Sequence, residues 1–227
     1  MGSARRLAAL TLISAVLAIP VHVAAQDTLP AREAEKDLAE YADCVVGRKA
    51  YRKPVAEFLR VVPNGADFYS ASMKAADLTC LNDAAVRRRT SKLEMRLQPA
   101  TFRGALYPAL YRRQFGRAGP PANVRSAPPF DIASEFAGDV ATLPQEYVPS
   151  RVIGDCLARN APQDAHRMLV SRPWSAGEDA AIERLKLVLA DCLTNKQTVR
   201  LNREALRAYV GEASYKLFMS VSAPSQD

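Results

Sequence analysis

Ala42-Asp43-Cys44-Val45 recurs later in the chain as Gly154-Asp155-Cys156-Leu157. Each copy is followed by a second cysteine segment, Asp77-Leu78-Thr79-Cys80-Leu81 in the first and Ala190-Asp191-Cys192-Leu193 in the second. The two cysteines of each copy are 36 residues apart in the sequence. Self-similarity of this kind indicates two degenerate copies of one structural unit. We therefore expect a fold built from two similar modules.

Other segments of the two copies also match. Phe58-Leu59 before Pro63 corresponds to Met168-Leu169 before Pro173. Further on, Phe102-Arg103-Gly104-Ala105-Leu106 corresponds to Asn202-Arg203-Glu204-Ala205-Leu206, and the segment from Tyr111 to Phe115 corresponds to that from Tyr215 to Phe218. The copies differ most after their second cysteine, where the first copy carries an insertion around Arg87-Arg88-Arg89-Thr90-Ser91-Lys92. This insertion is typical of a longer surface loop or an extended helix end.

The four cysteines, Cys44, Cys80, Cys156 and Cys192, allow three disulfide connectivities, and all three remain open from the sequence alone. The repeat favours the pairs Cys44–Cys80 and Cys156–Cys192, because a unit that was stable before duplication would carry its own bridge. Each bridge would stabilise its module by about 3 to 4 kcal/mol. A structural zinc site is not indicated, since the chain has no close C-x-x-C pairs and only two histidines.

The composition favours helices over strands, because alanine, leucine and arginine are abundant while aromatic residues make up only 7% of the chain. The fold class is therefore expected to be all-α, with two pseudo-repeated four-helix modules, each tied by one disulfide. The expected boundaries are a signal peptide at residues 1–25, module 1 at 26–116, a proline-rich linker at 117–142, module 2 at 143–219 and a flexible tail at 220–227.

Local patterns locate several of these helices. Ser175-Ala176-Gly177-Glu178 is a capping-box pattern that predicts a helix start. The buried face of that helix is expected to carry Ile182, Leu185, Leu189 and Cys192. In the first copy, Asn64 is expected to cap the equivalent helix, whose buried stripe would be Tyr69, Met73, Ala76 and Cys80. The Tyr107–Tyr111 pair on the fourth helix is interpreted as internal packing, with a groove for a partner helix or peptide as the alternative.

The first residues have the three parts of a secretory signal peptide. Arg5 and Arg6 precede an apolar stretch from Leu7 to Ile19, and Val23-Ala24-Ala25 forms a small-residue cleavage site before Gln26. The apolar stretch is shorter than the ~20 residues that a membrane-spanning helix needs. We therefore expect cleavage near Ala25, a periplasmic or secreted location, and no transmembrane segment after cleavage.

Catalytic signatures are sparse. His166 is the one histidine beyond the predicted signal peptide, and no G-x-S-x-G or H-E-x-x-H pattern accompanies it. Two carboxylates would suffice for a glycosidase, but Glu178 with Asp179, and Asp43 and Asp155 beside their cysteines, resemble ordinary helix acids. We expect no catalytic residue, no metal ligand and no cofactor, and favour a protein that is not an enzyme.

The insertion in the first copy contains a basic cluster, which is a candidate contact for an anionic surface such as phospholipid headgroups or a polysaccharide. The cluster consists of Arg87, Arg88, Arg89, Lys92 and Arg96. The alternative is a solvated basic face. Nucleic acid is not an expected partner, because it is rare outside the cytoplasm and no aromatic residues alternate with these basic ones.

A recurring pattern runs through both copies: an Asp-Cys opening, a proline-centred turn, a Cys-Leu on a later helix, and then Leu201-Asn202-Arg203 before Ala205-Leu206-Arg207. The first copy has Phe102-Arg103-Gly104-Ala105-Leu106-Tyr107 with Leu110-Tyr111-Arg112-Arg113. This pattern resembles a group of exported helical proteins of sphingomonad-type bacteria. The resemblance spans most of the chain after the signal peptide and implies a bacterial envelope protein, but it brings no activity, ligand or catalytic residue.

The function expected from the sequence is that of an exported, soluble envelope protein, most simply a non-enzymatic binding or structural module. Its partner would be another envelope protein or an anionic envelope surface. The alternative is a small periplasmic hydrolase that uses carboxylates in the cleft between the modules. An enzyme should show convergent buried carboxylates in a cleft, whereas a binder should show an apolar groove or patch.

Overall fold

The computed structural model describes residues 31–87, 98–193 and 201–222. Ten α-helices and no β-strand occur in this part of the chain, which confirms the all-α class. Each disulfide joins the two cysteines of the same copy, Cys44 to Cys80 in the first and Cys156 to Cys192 in the second. The pairing favoured by the repeat is therefore confirmed, and each half of the fold is tied by one bridge.

The first half contains five helices, one more than expected. They are α1 (Ala31–Gly47), α2 (Arg52–Arg60), α3 (Phe68–Ala75), α4 (Leu78–Arg87) and α5 (Pro99–Phe115). A short helix, α6 (Ile132–Glu135), lies in the connection between the halves. The second half has the expected four: α7 (Tyr147–Asn160), α8 (Pro162–Val170), α9 (Ala176–Cys192) and α10 (Arg203–Ser222). The elements follow the same order in both halves, with α3 and α4 together taking the place of α9.

The start of α9 agrees with the prediction, whereas the start of α3 does not. The Ser175 hydroxyl accepts a hydrogen bond from the Glu178 backbone N–H, as expected of a helix cap. In the first half, α3 begins only at Phe68, so Asn64 is not its cap. Asn64 instead has φ +62°, and Trp174 at the matching position has the same value. Such angles are uncommon for residues other than glycine, so these two turns share an unusual backbone conformation.

The predicted buried stripe of the first copy is wrong at Tyr69 and Met73, whereas Cys80 is buried as predicted. Tyr69 and Met73 are 65% and 54% exposed, and Phe68, Ser72 and Ala75 are the buried residues of α3. The physical reason is a break in the helix at Ala76 and Asp77. Because the Asp77 carboxylate accepts a hydrogen bond from the Thr79 N–H, a new helix starts there and brings Cys80 inward in a different phase.

The two halves pack together through α5 and α10, which cross at small residues. A Cβ atom added to Gly104 would lie 2.9 Å from the Cβ of Ala208, and one added to Gly211 would lie 2.7 Å from Cγ of Pro108. These contacts place Gly104 level with Ala208. The two helices thus approach each other closely at Gly104 and at Gly211, where the glycines leave room for the side chains of Ala208 and Pro108.

Each half has its own hydrophobic core, and α5 contributes to both. Phe102, Leu106 and Tyr107 belong to the core of the first half, while Tyr111 and Phe115 belong to that of the second. Burial of both tyrosines confirms the packing interpretation of this pair. The connection between the halves lies against the protein, since Val124 and Phe136 are buried. At the C-terminus, α10 continues to Ser222, so residues 220–222 are helical and not part of a tail.

Candidate functional site

Two clefts lie beside the crossing of α5 and α10 and share Ala100, Gly104, Ala208 and Tyr209 as walls. The first, which we call the apolar cleft, is bounded by α1, α5, α10 and the turn at Pro173. The second, the arginine cleft, is bounded by α7, α10, α5 and the turn at Pro63. The same kinds of element therefore enclose both clefts. Each cleft combines the first helix of one half with the proline turn of the other.

The cysteine alignment makes the walls of the two clefts comparable position by position. Glu35, Leu38 and Ala39 of α1 line the apolar cleft, and the matching positions of α7 in the arginine cleft are Tyr147, Ser150 and Arg151. On the crossing helices, Arg207 lines the first cleft and Arg103 the second. The two clefts differ in chemistry at these positions, because Glu35, Leu38 and Ala39 in one correspond to Tyr147, Ser150 and Arg151 in the other.

The apolar cleft encloses about 260 Å³. Its walls are mostly small apolar residues from both halves, among them Ala100, Gly104, Ala105, Pro108, Ala205 and Ala208. It adjoins a wider cavity of about 660 Å³, and the two share Ala39, Arg112 and Pro173 as walls. The wider cavity has a polar lining that includes Lys36, Glu40, Asp43, Arg172 and Trp174. An apolar interior with a polar mouth is the usual form of a small-molecule site.

Trp174 joins the two halves at this mouth. Its indole Nε1 donates a hydrogen bond to Oε2 of Glu35 at 2.8 Å, and its carbonyl accepts a bond from Arg32 at 3.4 Å. Its own backbone N–H donates to Oε2 of Glu178 at 2.7 Å, which holds the residue at φ +62°. Left-handed backbone angles in large residues concentrate at functional sites, since the surrounding structure must stabilise them.

The Glu178 side chain, buried in the second half, stabilises the turn that contains Trp174. It is fully buried and accepts hydrogen bonds from Arg203 at 2.6 Å and from Arg207 at 2.7 Å. Arg207 also donates to the carbonyls of Met168, Leu169 and Ser171, so its charge lies against the C-terminal end of α8. Burial and the nearby Arg112 lower the pKa of Arg207 to about 10.

Glu35 and Glu204 are the acids of the apolar cleft, and neither has an ion-pair partner in the described part of the chain. Burial raises the pKa of Glu35, and the negative charges of Glu204 and Glu178 raise it further, while the bond from Trp174 lowers it. The cleft thus combines apolar walls with two acids that a bound positive charge would stabilise.

In the arginine cleft, Arg103 forms a bidentate pair with Glu212, with N–O distances of 2.6 and 2.7 Å. Tyr147 donates its hydroxyl to the same carboxylate at 2.6 Å. Lys216 bridges Glu212 and Glu135. Burial alone would raise the pKa of Glu212, but the charges of Arg103 and Lys216 outweigh it and hold that pKa well below its usual range. Glu212 is therefore a fixed counter-ion and not a proton donor.

Arginine pairing extends to the other buried carboxylates of the described residues. Asp77 pairs with Arg48, Asp155 with Arg159, and Glu178 with two arginines. Asp43 and Asp155, the acids beside the first cysteines, both bind arginine, as an acid beside a buried helix face commonly does. Within the described ranges, no three residues of the His, Cys, Asp and Glu types are grouped as a metal site.

The remaining residues singled out from the sequence lie away from both clefts or outside the described residues. His166 shares a hydrogen bond of 2.9 Å with the Tyr111 hydroxyl, and burial lowers its pKa. Arg87 is the last residue of α4, while Arg88, Arg89, Lys92 and Arg96 lie outside the described residues, as does the predicted signal peptide. The four cysteines form the two bridges and line neither cleft.

Sequence reasoning missed the main residues of both clefts, namely Glu35, Trp174, Arg103, Arg151 and Glu212. Two signals were available. Trp174 is the one tryptophan of the chain and follows a proline that the repeat matches with Pro63. An arginine also recurs on the fourth helix of each copy. Neither signal locates a site, because the partners of these residues are far away in the sequence.

No protein-family model, no curated protein and no solved structure matches this chain. Between residues 31 and 222, leaving aside 88–97 and 194–200, no helix has the length and apolar character to cross a membrane.

Proposed function

We propose that this chain is a non-enzymatic binding protein of the bacterial envelope, and that it takes a small ligand with an apolar body in the apolar cleft. The observation that carries this proposal is the cavity of about 260 Å³ between the halves, with small apolar walls and a polar mouth. The turn of Trp174 at that mouth is held in an uncommon backbone conformation, which supports a role in binding.

A hydrolase is the weaker candidate. Acid–base catalysis by carboxylates needs one acid free to exchange a proton near the working pH. The buried carboxylates of the described clefts are instead held by arginine or lysine, and the pKa of Glu212 is lowered. Burial raises the pKa of Glu35, and the acids Glu204 and Glu178 raise it further, but Glu35 is held by the indole of Trp174 and has no second carboxylate placed as a catalytic partner among the contacts of the described residues. The geometry therefore favours binding over catalysis.

The proposed location follows from the disulfides and from the sequence. Two bridges with ordinary Cα separations of 5.8 and 5.7 Å are consistent with folding in an oxidising compartment. The predicted signal peptide and the resemblance to exported sphingomonad-type proteins support a periplasmic location. A ligand of the envelope space, small and partly apolar, would suit the cleft.

Thermal unfolding with and without small probes tests the proposal. Toluene, 1-hexanol and hexylamine should each raise the melting temperature, since a ligand at ten times its Kd stabilises the folded state by about 1.4 kcal/mol. Ala205→Phe should abolish this rise by filling the cleft. Ala180→Phe, on the exposed face of α9, is the matched control and should retain it. An equal rise in both variants, or none in the unmodified protein, would contradict the proposal.

A further inference from the structure

Two acids and two arginines are the charged residues in the wall of the apolar cleft. They are Glu35, Glu204, Arg112 and Arg207. The arginines have acids of their own, since Arg112 pairs with Asp43 at 2.7 Å and Arg207 pairs with Glu178 at 2.7 Å. The two acids of the wall, in contrast, form no ion pair with any described residue. The wall therefore carries two carboxylates whose negative charges are not matched.

The donors of the two arginines are already engaged. Nε and Nη2 of Arg112 bind Asp43, and its Nη1 binds the carbonyl of Leu169. The two terminal nitrogens of Arg207 donate to Glu178 and to three carbonyls at the C-terminal end of α8. An anionic ligand would therefore meet two acids in this cleft without gaining a free cation.

The two acids can be reached from the cavity. Glu35 and Glu204 both line it, and both are partly exposed. The bond from Trp174 uses Oε2 of Glu35 and leaves Oε1 without a partner among the described residues. Burial raises the pKa of Glu35, and the charge of Glu204 raises it further, so the two carboxylates act on each other. A cation bound near both would relieve this repulsion.

The fold gives a reason for one of the two charges but not for the other. Glu204 lies in the first turn of α10, where a negative charge favours the helix N-terminus. Glu35 lies beyond the first turn of α1, whose acid is Glu33. The bond from Trp174 needs only an acceptor oxygen, which a neutral side chain would also supply. The charge of Glu35 therefore points to a positive partner from outside the chain.

The charges at the mouth of the cleft do not supply that partner. Lys36 pairs with Glu33 at 2.9 Å. Arg32 and Arg172 are exposed, and neither forms an ion pair with the two acids in the part of the chain that the structure describes. Glu40, which is also exposed, adds a negative charge at the same mouth. Exposed charges of this kind are screened by salt.

We propose that the ligand of the apolar cleft is a small primary amine with an apolar chain, whose ammonium group binds between Glu35 and Glu204. This inference rests on the proposed function, because it names the ligand class of the same cleft. An ammonium group has three N–H donors, and it donates to Oε1 of Glu35 and to the carboxylate of Glu204. The chain packs against the small walls formed by Ala100, Ala105 and Ala208.

Isothermal titration at pH 7 with hexylamine, 1-hexanol and hexanoate tests the inference, because these probes share one chain length and differ in charge. Hexylamine should bind about tenfold more tightly than 1-hexanol, since its hydrogen bonds to the carboxylates are charge-assisted. Hexanoate should bind more weakly than 1-hexanol. If 1-hexanol binds at least as tightly as hexylamine, the inference is wrong and the proposed function stands. If none of the three binds, both are wrong.

Substitution of each acid tests its role in the recognition of the amine. Glu35→Gln removes one negative charge and keeps an oxygen that accepts from Trp174, and Glu204→Gln removes the other charge. Each variant should weaken hexylamine binding about fivefold and leave the affinity for 1-hexanol unchanged. Glu57→Gln is the matched control, because Glu57 is exposed on α2 and lines neither cleft.

The two probes together separate recognition of charge from a structural effect. Unchanged hexylamine affinity in either Glu35→Gln or Glu204→Gln would overturn the proposal. An equal loss of affinity for hexylamine and 1-hexanol would also overturn it, because it would show that the acids only maintain the shape of the cleft.

Discussion

Trp174 of the second half donates its indole N–H to Glu35 of the first half, with a distance of 2.8 Å between Nε1 and Oε2. The bond connects α1 to the turn before α9 across the mouth of the apolar cleft. The guanidinium of Arg203 lies over the indole ring, 4.4 Å from the ring centre of Trp174. The tryptophan thus reports on the contact between the halves.

The energy of this contact can be measured by a double-mutant cycle. Trp174→Phe keeps an aromatic side chain but removes the N–H donor, and Glu35→Ala removes the acceptor. We expect a coupling free energy of about 1 kcal/mol between the two substitutions in urea unfolding, the usual size for one hydrogen bond. Additive effects would show that the bond contributes nothing to the contact between the halves.

Glu35 should make stability depend on pH. Its pKa is raised in the folded protein, so folding favours the protonated form. This contribution is fully present below the pKa of the unfolded chain and is lost as the pH rises through the raised value. Glu35→Gln, which stays neutral, should therefore melt at a higher temperature than the unmodified protein at pH 7. The two melting temperatures should converge at pH 3, and a constant difference would contradict the raised pKa.

Glu178 should be among the most important polar residues for stability. Glu178→Gln leaves Arg203 and Arg207 without a full counter-ion in the interior. We expect a loss of about 3 kcal/mol in the free energy of unfolding, typical of a broken buried ion pair. Asp179→Asn removes the neighbouring exposed acid and should cost less than about 1 kcal/mol. Similar losses in both variants would contradict the role of Glu178.

The crossing of α5 and α10 should tolerate no added atom at Gly104. Gly104→Ala places a Cβ 2.9 Å from that of Ala208, and overpacking of this kind costs about 1 to 3 kcal/mol. Ala208→Gly in the same chain should restore most of the loss. Gly47→Ala is the matched control, because no atom lies within 4 Å of the added Cβ. Chemical unfolding of the three variants would reveal whether the halves cross as described.

The sequence predicted the scaffold well where the pattern is local or repeated. Ser175 caps α9 as predicted, and the cysteines pair within each copy as the repeat predicted. Both predictions depend only on the spacing of residues along the sequence. The predicted burial of Tyr69 and Met73 is wrong because a new helix starts at Asp77, which changes which residues share a face with Cys80. Hydrophobic periodicity alone does not reveal such a helix break.

The clefts were not predictable from the same patterns. Glu178 stands where the first copy has Phe68, so one position carries a buried charge in one half and an aromatic side chain in the other. Glu35 and Trp174 are 139 residues apart, and their contact depends on how the halves pack. A contact of this kind can be identified only once the packing of the two halves, through the crossing of α5 and α10 at Gly104 and Ala208, is known.

Trp174 fluorescence during a hexylamine titration tests the central claim most directly, because this one tryptophan lies at the mouth of the apolar cleft. If the cleft binds a small amphipathic ligand, the emission should change saturably, and Ala205→Phe should abolish the change. Hexylamine should also bind more tightly than 1-hexanol, since its ammonium group would lie near Glu35 and Glu204. An emission that does not change saturably, or that changes equally in Ala205→Phe, would contradict the assignment of the apolar cleft as a ligand site.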